Sequence, residues 1–455
     1  MNTLLNIIQP YCHRFGLPAL TSLLLLSGAI STETIAAQLV PTGQSDAGTL
    51  DGVPSVTHTG RFTGATAHGE FLVPYEITAP ADPRHGNRRV VFEPPHFTLR
   101  TPGRDAVLGT ELLFGRGYSH ASVGFSNQGE NMLDTGADNF TIAGLQVGEN
   151  DFPFPRDVEI LKQFVEALHR DPVARATLGH VRKVYAFGTS QSAEALYELA
   201  YGPGAANLFD LTVLQVPLWR PAFARPDTLA VLPEVFEPLE EIGKVMLVSA
   251  EGDLLISQSM QLRNALASPN YRLYELAGAP HLFMDIEIGG IRTNPLDHSA
   301  VVRAVFVAGD RWVRRGKRPP NSRILDVAAP GTIDPIYLFE TGIARDVNGN
   351  ASGGVRFPDV ANGRALHIAS LLDIELIPGL PGLIGAWFDL ACAPEPGSAT
   401  GQPRFTSHRQ YVHSVWQQAF SLMWDGYLLP RDALQLLWIA RDSDVGRPQS
   451  CAGTP

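Results

Sequence analysis

Between residues 88 and 281 six short segments are apolar almost without interruption: RRVVFE (88–93), SHASVGF (119–125), RKVYAFG (182–188), FDLTVLQVPL (209–218), KVMLVSA (244–250) and YRLYELAG (271–278). A strand with one wet face alternates apolar and polar residues. These runs do not alternate, so both of their faces must be covered, which is the environment of a parallel sheet between helical layers. The intervening sequence supplies such layers. In DVEILKQFVEALHRD (157–171), Val158, Leu161, Val165 and Leu168 recur at helical spacing, and ISQSMQLRNALASP (256–269) predicts a second helix before the last run. The rhythm predicts an α/β fold with a mostly parallel central sheet. Upstream, TGRFTGATAHGEFLVPYEITAPA (59–81) has strand patterning broken by glycines and predicts antiparallel additions at one edge.

Beyond residue 282 the pattern changes. DHSAVVRAVFVAGDRWVRRG (297–316) predicts a helix stopped by its glycine, a Gly- and Pro-rich stretch runs to about 404, and helical patterns return at 407–429 and 430–443. No charged linker separates this half from the first, so it is expected to pack on the same body as a long helical and loop-rich extension. We therefore expect a single domain over 40–455, with a core at about 60–290 and a C-terminal extension at 291–455.

The amino end is set apart. Leu17–Ile30 is apolar but short for a bilayer span, Arg14 precedes it, and small residues follow at Ala29, Ser31, Ala36 and Ala37, so 1–37 is expected to be a secretory signal. The mature chain is then secreted or periplasmic, with no stable membrane insertion. With Cys12 inside that signal, Cys392 and Cys451 are the remaining cysteines and form the expected disulfide. The formal charge of −11 and the lack of any basic run exclude binding that works by neutralising phosphates, so no nucleic-acid partner is expected. The thirteen histidines are scattered without ligand spacing, and no Gly-rich phosphate cradle is present, so neither a metal nor another cofactor is implied. The oligomeric state is not legible. Asn139-Phe140-Thr141 and Asn350-Ala351-Ser352 would accept glycans in a eukaryotic secretory pathway.

The sharpest chemical signal is YAFGTSQSAEALYELAYG (185–202): a strand, then Gly188-Thr189-Ser190-Gln191-Ser192, then a helix. A nucleophile elbow needs this order, because a tight strand-to-helix turn exposes the serine Oγ and aims the first helical N–H groups at a developing oxyanion. Alone, the pattern also fits a helix-capping serine in any βα unit. Chain order adds the rest. A serine needs a histidine to take its proton and a carboxylate to hold that histidine's tautomer. Asp253 follows the run at 244–250 and His281 follows the run at 271–278, in the order Ser190, Asp253, His281. Asp253 is the expected acid because a loop needs a residue or two to turn toward the histidine; Glu251 stays open as the alternative acid.

These segments resemble an α/β-hydrolase domain family in which the elbow reads Gly-x-Ser-Gln-Ser-Gly. VGFSNQ (123–128), RAVFVAGDRWVRRGKRPPNSR (303–323), GGVRFPDV (353–360) and YVHSVWQQAFSLMWDGYLLPRDA (411–433) are similar to other blocks of that family, so the resemblance runs over roughly 60–440. It implies Ser190 as nucleophile, Gln191 as part of the oxyanion hole and His281 as base. The chain departs from the family at Ala193, where a glycine is usual, and at Glu93-Pro94-Pro95-His96-Phe97. Pro94 and Pro95 have no N–H to give, so a second oxyanion donor from that loop would be His96 or Phe97. Trp219 and Arg220 follow a strand where such folds place substrate-facing loops. Five of the six tryptophans lie after residue 282, where they either pack or shape a pocket over Ser190.

The expected function is an exported serine hydrolase acting on a small carboxylic ester. The alternatives are an amidase, lactonase or acyltransferase with the same three residues, or a binding protein on a hydrolase scaffold.

Overall fold

In the computed structural model, the described residues are 36–95 apart from 68, 107–124, 140–142, 145–147, 155–190, the helical residues Ser192, Ala193, Leu196 and Leu199, 208–217, 243–371 apart from 257–258, 382–394, 396, 402–447 and 451. Nine strands form the main sheet: β1 (Gln38–Leu50), β2 (Val53–Thr66), β3 (Gly69–Pro80), β4 (Arg89–Phe92), β5 (Ser119–Val123), β6 (Lys183–Thr189), β7 (Leu211–Gln215), β8 (Val245–Ala250) and β9 (Tyr271–Leu276). Their spatial order is β1-β2-β3-β5-β4-β6-β7-β8-β9. From β5 to β9 every pairing is parallel, and β1, β2 and β3 join as an antiparallel ribbon on the β5 edge. All six apolar runs are strands of the parallel half, and the ribbon stands where the glycine-broken patterning predicts it.

The two faces explain the runs. Val91, Tyr185, Phe187, Val213, Met246 and Val248 meet a helix we call α3 (Ser299–Arg315) through Val301, Val302, Val305 and Phe306. Their neighbours along the strands, such as Val90, Phe92, Val184, Ala186, Leu214, Leu247 and Leu273, meet α1 (Pro155–Arg170) through Ile160, Leu161, Phe164, Val165 and Leu168. Apolar side chains are therefore required at consecutive positions. Gly309 lets α3 close on the sheet, since a Cβ there would lie 2.7 Å from a Leu211 methyl. The helix stops at Gly316, whose φ of 66° lies in the left-handed region and whose N–H bonds the Trp312 carbonyl.

One expected element takes another form. The segment before β9 is a 3-10 helix over Ser259–Ala267. In that geometry residues three apart eclipse, and Leu262 and Ala265 are the buried pair that meets the core.

The C-terminal extension packs on the sheet as expected. Arg323 bridges to Tyr274 and Val355 to Leu276, so its segments cover the outer edge of β9. It ends in two helices, α4 (His408–Asp425) and α5 (Pro430–Asp442). Cys392 and Cys451 are joined, with Cα atoms 5.4 Å apart. Asn350 is fully buried, donating to the Ala365 carbonyl and accepting from the His367 N–H, which seals the sequon at 350–352 in the folded chain. Asn139, Cys12 and the expected signal before Ala36 lie outside the described residues. No helix among the described residues is long and apolar enough to cross a membrane.

Candidate active site

The register of the parallel half brings the carboxyl ends of its strands together: Thr189 faces Gln215, Gln215 faces Val248, and Ala250 faces Leu276. Ser190 follows β6 with φ of +55°, a left-handed conformation that a serine adopts only under constraint. The constraint is local. A Cβ on Gly188 would come within 2.7 Å of the Ser192 carbonyl, so only glycine permits the turn. Ser192 holds it from the other side, its Oγ accepting from the Thr189 N–H and donating to the Thr189 carbonyl, both at 2.9 Å. That clamp holds the tight turn closed beneath Ser190. Ala193, in place of the family's glycine, is fully buried against the core. The Ser190 N–H itself donates to the Gln215 carbonyl at 2.9 Å.

Ser190 Oγ lies 3.0 Å from His281 Nε2, and His281 Nδ1 lies 2.7 Å from Asp253 Oδ1. All three are buried, at 7%, 7% and 0% exposure respectively. The second oxygen of Asp253 accepts the Ala250 N–H at 2.7 Å, which ties the acid to its own strand. Asp253 sits in α2 (Glu251–Ile256), directly after β8. Between them Gly252 allows close approach, because a Cβ there would lie 2.9 Å from the Ala369 carbonyl and 3.0 Å from the His281 nitrogen.

Glu251, the alternative acid, is engaged elsewhere. One oxygen accepts the Gly278 N–H at 2.7 Å, and the other accepts from Arg345 at 2.5 Å. Arg345 also donates to Asp334 at 2.8 Å, so a buried guanidinium from the extension sits between two carboxylates. Glu251 thus braces the loop that carries His281 and makes its bonds away from the imidazole. Asn294 braces the same loop by donating to the Gly278 carbonyl at 2.7 Å.

Gln191, His96, Phe97, Trp219 and Arg220 lie outside the described residues. Gln215, Asn294, His298 and Arg345 were not singled out in the sequence. Gln215 and His298 left one faint signal each, a polar residue inside an apolar run and a histidine at a helix start. His298 is buried and held neutral, its pKa pushed below the usual histidine value by desolvation. Among the described residues no cluster of His, Cys, Asp and Glu could hold a metal ion. The arrangement at Ser190 can activate a hydroxyl: a base within hydrogen-bond reach, oriented by a buried carboxylate. Trp312 is core, packed under Lys244 and Arg272, while Trp416, Trp424 and Trp438 are largely exposed on α4 and α5.

No curated protein matches the chain. Among solved structures it is similar to a prolyl endopeptidase at 12% identity and a TM-score of 0.32, covering 48% of this chain and 34% of that one, so the likeness spans about a third of that enzyme. It is also similar to brefeldin A esterase, a bacterial homologue of human hormone sensitive lipase, at 15% identity and a TM-score of 0.32, covering 48% and 68%. A third likeness, to an S-formylglutathione hydrolase from Agrobacterium tumefaciens, has 10% identity and a TM-score of 0.34 over 52% and 89%. The match that decides is of sequence: over residues 56–437, most of its length, the chain belongs to the alpha/beta hydrolase domain family.

Proposed function

We propose that this protein is an exported serine hydrolase that cleaves small carboxylic esters through an acyl-enzyme. The observation that carries the reading is the continuous hydrogen-bonded series Ser190, His281, Asp253, drawn from three strand ends and largely buried. Ser190 Oγ attacks the acyl carbon while His281 Nε2 takes its proton, and Asp253 holds the Nδ1–H tautomer and balances the imidazolium. The carbonyl oxygen becomes an oxyanion. The Gln191 N–H is the proposed first donor to it, with the second from His96 or Phe97. As the intermediate collapses, His281 returns its proton to the leaving alcohol. Water, deprotonated by the same imidazole, then releases the acid and restores Ser190.

The positive φ of Ser190 supports the role, since strain at a serine that presents its Oγ to a histidine is stored where chemistry uses it. Export is supported by the Cys392–Cys451 disulfide, which belongs in an oxidising compartment. The test combines a fluorophosphonate probe with a panel of aryl esters of increasing acyl length, run beside amides and lactones. Labelling at Ser190 and turnover confined to esters are expected. Labelling elsewhere would defeat the nucleophile assignment, and amide or lactone turnover above ester turnover would defeat the substrate class.

A further inference from the structure

A second histidine stands behind the first. His298, the residue at the amino end of α3, is 2% exposed, and its ring lies between two other groups of the site. Its Nδ1 is 2.7 Å from Gln215 Nε2, and its Nε2 is 3.4 Å from the backbone carbonyl of His281. Gln215 Oε1 in turn accepts from the Thr189 hydroxyl at 3.3 Å. The Phe283 ring stands perpendicular to the His298 ring, with centroids 5.1 Å apart.

The donors and acceptors run in one direction. The His281 carbonyl can only accept, so His298 Nε2 must carry a hydrogen. A neutral ring then offers a bare Nδ1, which must accept, and Gln215 must present its NH₂ there and its oxygen to Thr189. The reversed amide would need a hydrogen on Nδ1 as well, placing a cation in a dry site, and burial holds this imidazole neutral. Thr189 therefore donates to Gln215, Gln215 to His298, and His298 to His281.

The main chain closes the series. The Gln215 carbonyl accepts the Ser190 N–H at 2.9 Å, and Ser190 Oγ meets His281 Nε2 at 3.0 Å. Gln215 and His298 thus link the serine turn to the histidine loop by a route that does not pass through Asp253. From this, and resting on the function proposed above, we infer that His298 and Gln215 are positioning residues that fix the Ser190–His281 separation by a route independent of the acid. Asp253 sets the orientation of the imidazole, and His298 sets the position of the backbone that carries it. An error of about 1 Å in such a separation lowers turnover by about a hundredfold while leaving substrate contacts intact.

The experiment measures kcat and KM on an aryl ester, and the fluorophosphonate labelling rate, for His298→Leu, His298→Gln and Ser190→Ala in the full mature chain. His298→Leu is expected to lower kcat and the labelling rate by about 10- to 100-fold with KM within about threefold of the parent. His298→Gln keeps a donor for the His281 carbonyl and is expected to recover at least about fivefold of that loss. If His298→Leu does not fold, Gln215→Leu decides in its place, since a buried strand position accepts leucine, and the same loss is expected. Two results would overturn the inference: a kcat within threefold of the parent, or a glutamine variant no better than leucine. An active Ser190→Ala protein would instead overturn the proposed function, so the two failures are distinguishable.

Discussion

The parallel half of the sheet and the C-terminal extension hold together by different balances of the same forces. In β4–β9 cohesion is chiefly apolar on both faces, through α1 on one side and α3 on the other, with buried pairs such as Arg89–Asp310 and Arg263–Glu275 added to it. In the extension, charged side chains recur as buried or half-buried partners: Arg345 with Glu251 and Asp334, Asp432 with Arg303 of α3, Arg356 with Asp346. The disulfide adds a covalent link there. Apolar burial is non-directional and fixes where a strand lies, whereas a guanidinium between carboxylates fixes how a loop is aimed. The proposed chemistry uses both. Ser190, Asp253 and His281 hang from the sheet, and the extension grips the segments that carry Asp253 and His281 through Arg345, the Leu383 carbonyl that accepts the Leu282 N–H at 2.7 Å, and the backbone of Ala369 against Gly252.

The largest effect should come from the sheet side. Ser190→Ala and His281→Ala are each expected to lower kcat by about 10⁴- to 10⁶-fold while leaving the unfolding transition in place, and doing both should cost little more than one. Asp253→Asn should cost heavily but less. Glu251→Gln should leave kcat within about tenfold, because that carboxylate bonds Arg345 and the Gly278 N–H and makes no bond to the imidazole. A crippled Glu251→Gln enzyme beside a tolerant Asp253→Asn would reverse the two acids.

Breaking the extension's grip should appear in stability first. Arg345→Met leaves Glu251 and Asp334 buried without their common partner, and removing one side of a buried ion pair costs about 3–5 kcal/mol. Urea midpoints should fall accordingly, with residual activity at low temperature tracking the folded fraction. A variant as stable as its parent would mean that the pair contributes nothing net and that the loops are aimed by packing alone.

What was legible follows the same division. The strands could be read because burial on two faces leaves a signature in every run, and the order Ser190, Asp253, His281 could be read because each residue sits at a strand end. The choice of Asp253 over Glu251 rested on loop geometry, and the bonds of Glu251 run to the extension. The partners of that carboxylate were not legible, because Arg345 lies 94 positions away with no periodic signal joining them. His298 was hidden for a related reason: its two partners, Gln215 on β7 and His281 in the loop after β9, come from separate parts of the chain. The tryptophans could not be sorted by composition. A count cannot tell Trp312, packed under two cations, from Trp424, which is 81% exposed.

A smaller effect concerns two buried histidines. His298 stands at the amino end of α3 against the carboxyl end of β7, and His367 lies farther along the extension with its pKa pushed from 6.5 down to about 3 by burial, aided by the charge of Arg364. Both are held neutral in the folded chain, so below pH 6.5 the unfolded chain binds more protons than the folded one. Stability is then intact above about pH 6.5 and falls as the pH drops toward 3, each histidine adding up to about 1.4 kcal/mol per pH unit. Urea midpoints at pH 7, 6 and 5 should show the decline, and His367→Asn should make it shallower. Stability that rises on acidification through this range would contradict the assignment of neutral rings.

The smallest expected effect concerns the aromatic face of α4 and α5. If the extension were held by an aromatic core, Trp416, Trp424 and Trp438 would be costly to replace, yet they are 44%, 81% and 56% exposed. Exposed side chains free of special contacts change stability by no more than about 0.5 kcal/mol when substituted. Trp416 is the partial exception, since its ring lies 5.7 Å from His413 and 5.4 Å from Phe420 along one face of α4. Replacing each by glutamine should therefore leave the thermal midpoint nearly unchanged, with Trp416→Gln the largest of three small shifts. The ester panel adds the second reading. Among the described residues the ring partners of Trp416 lie on α4 itself, so relative kcat/KM across acyl lengths should hold constant in all three variants. A variant that keeps its stability but changes acyl preference would show that this face reaches the bound substrate, and the division between a sheet that does chemistry and an extension that braces it would have to be redrawn.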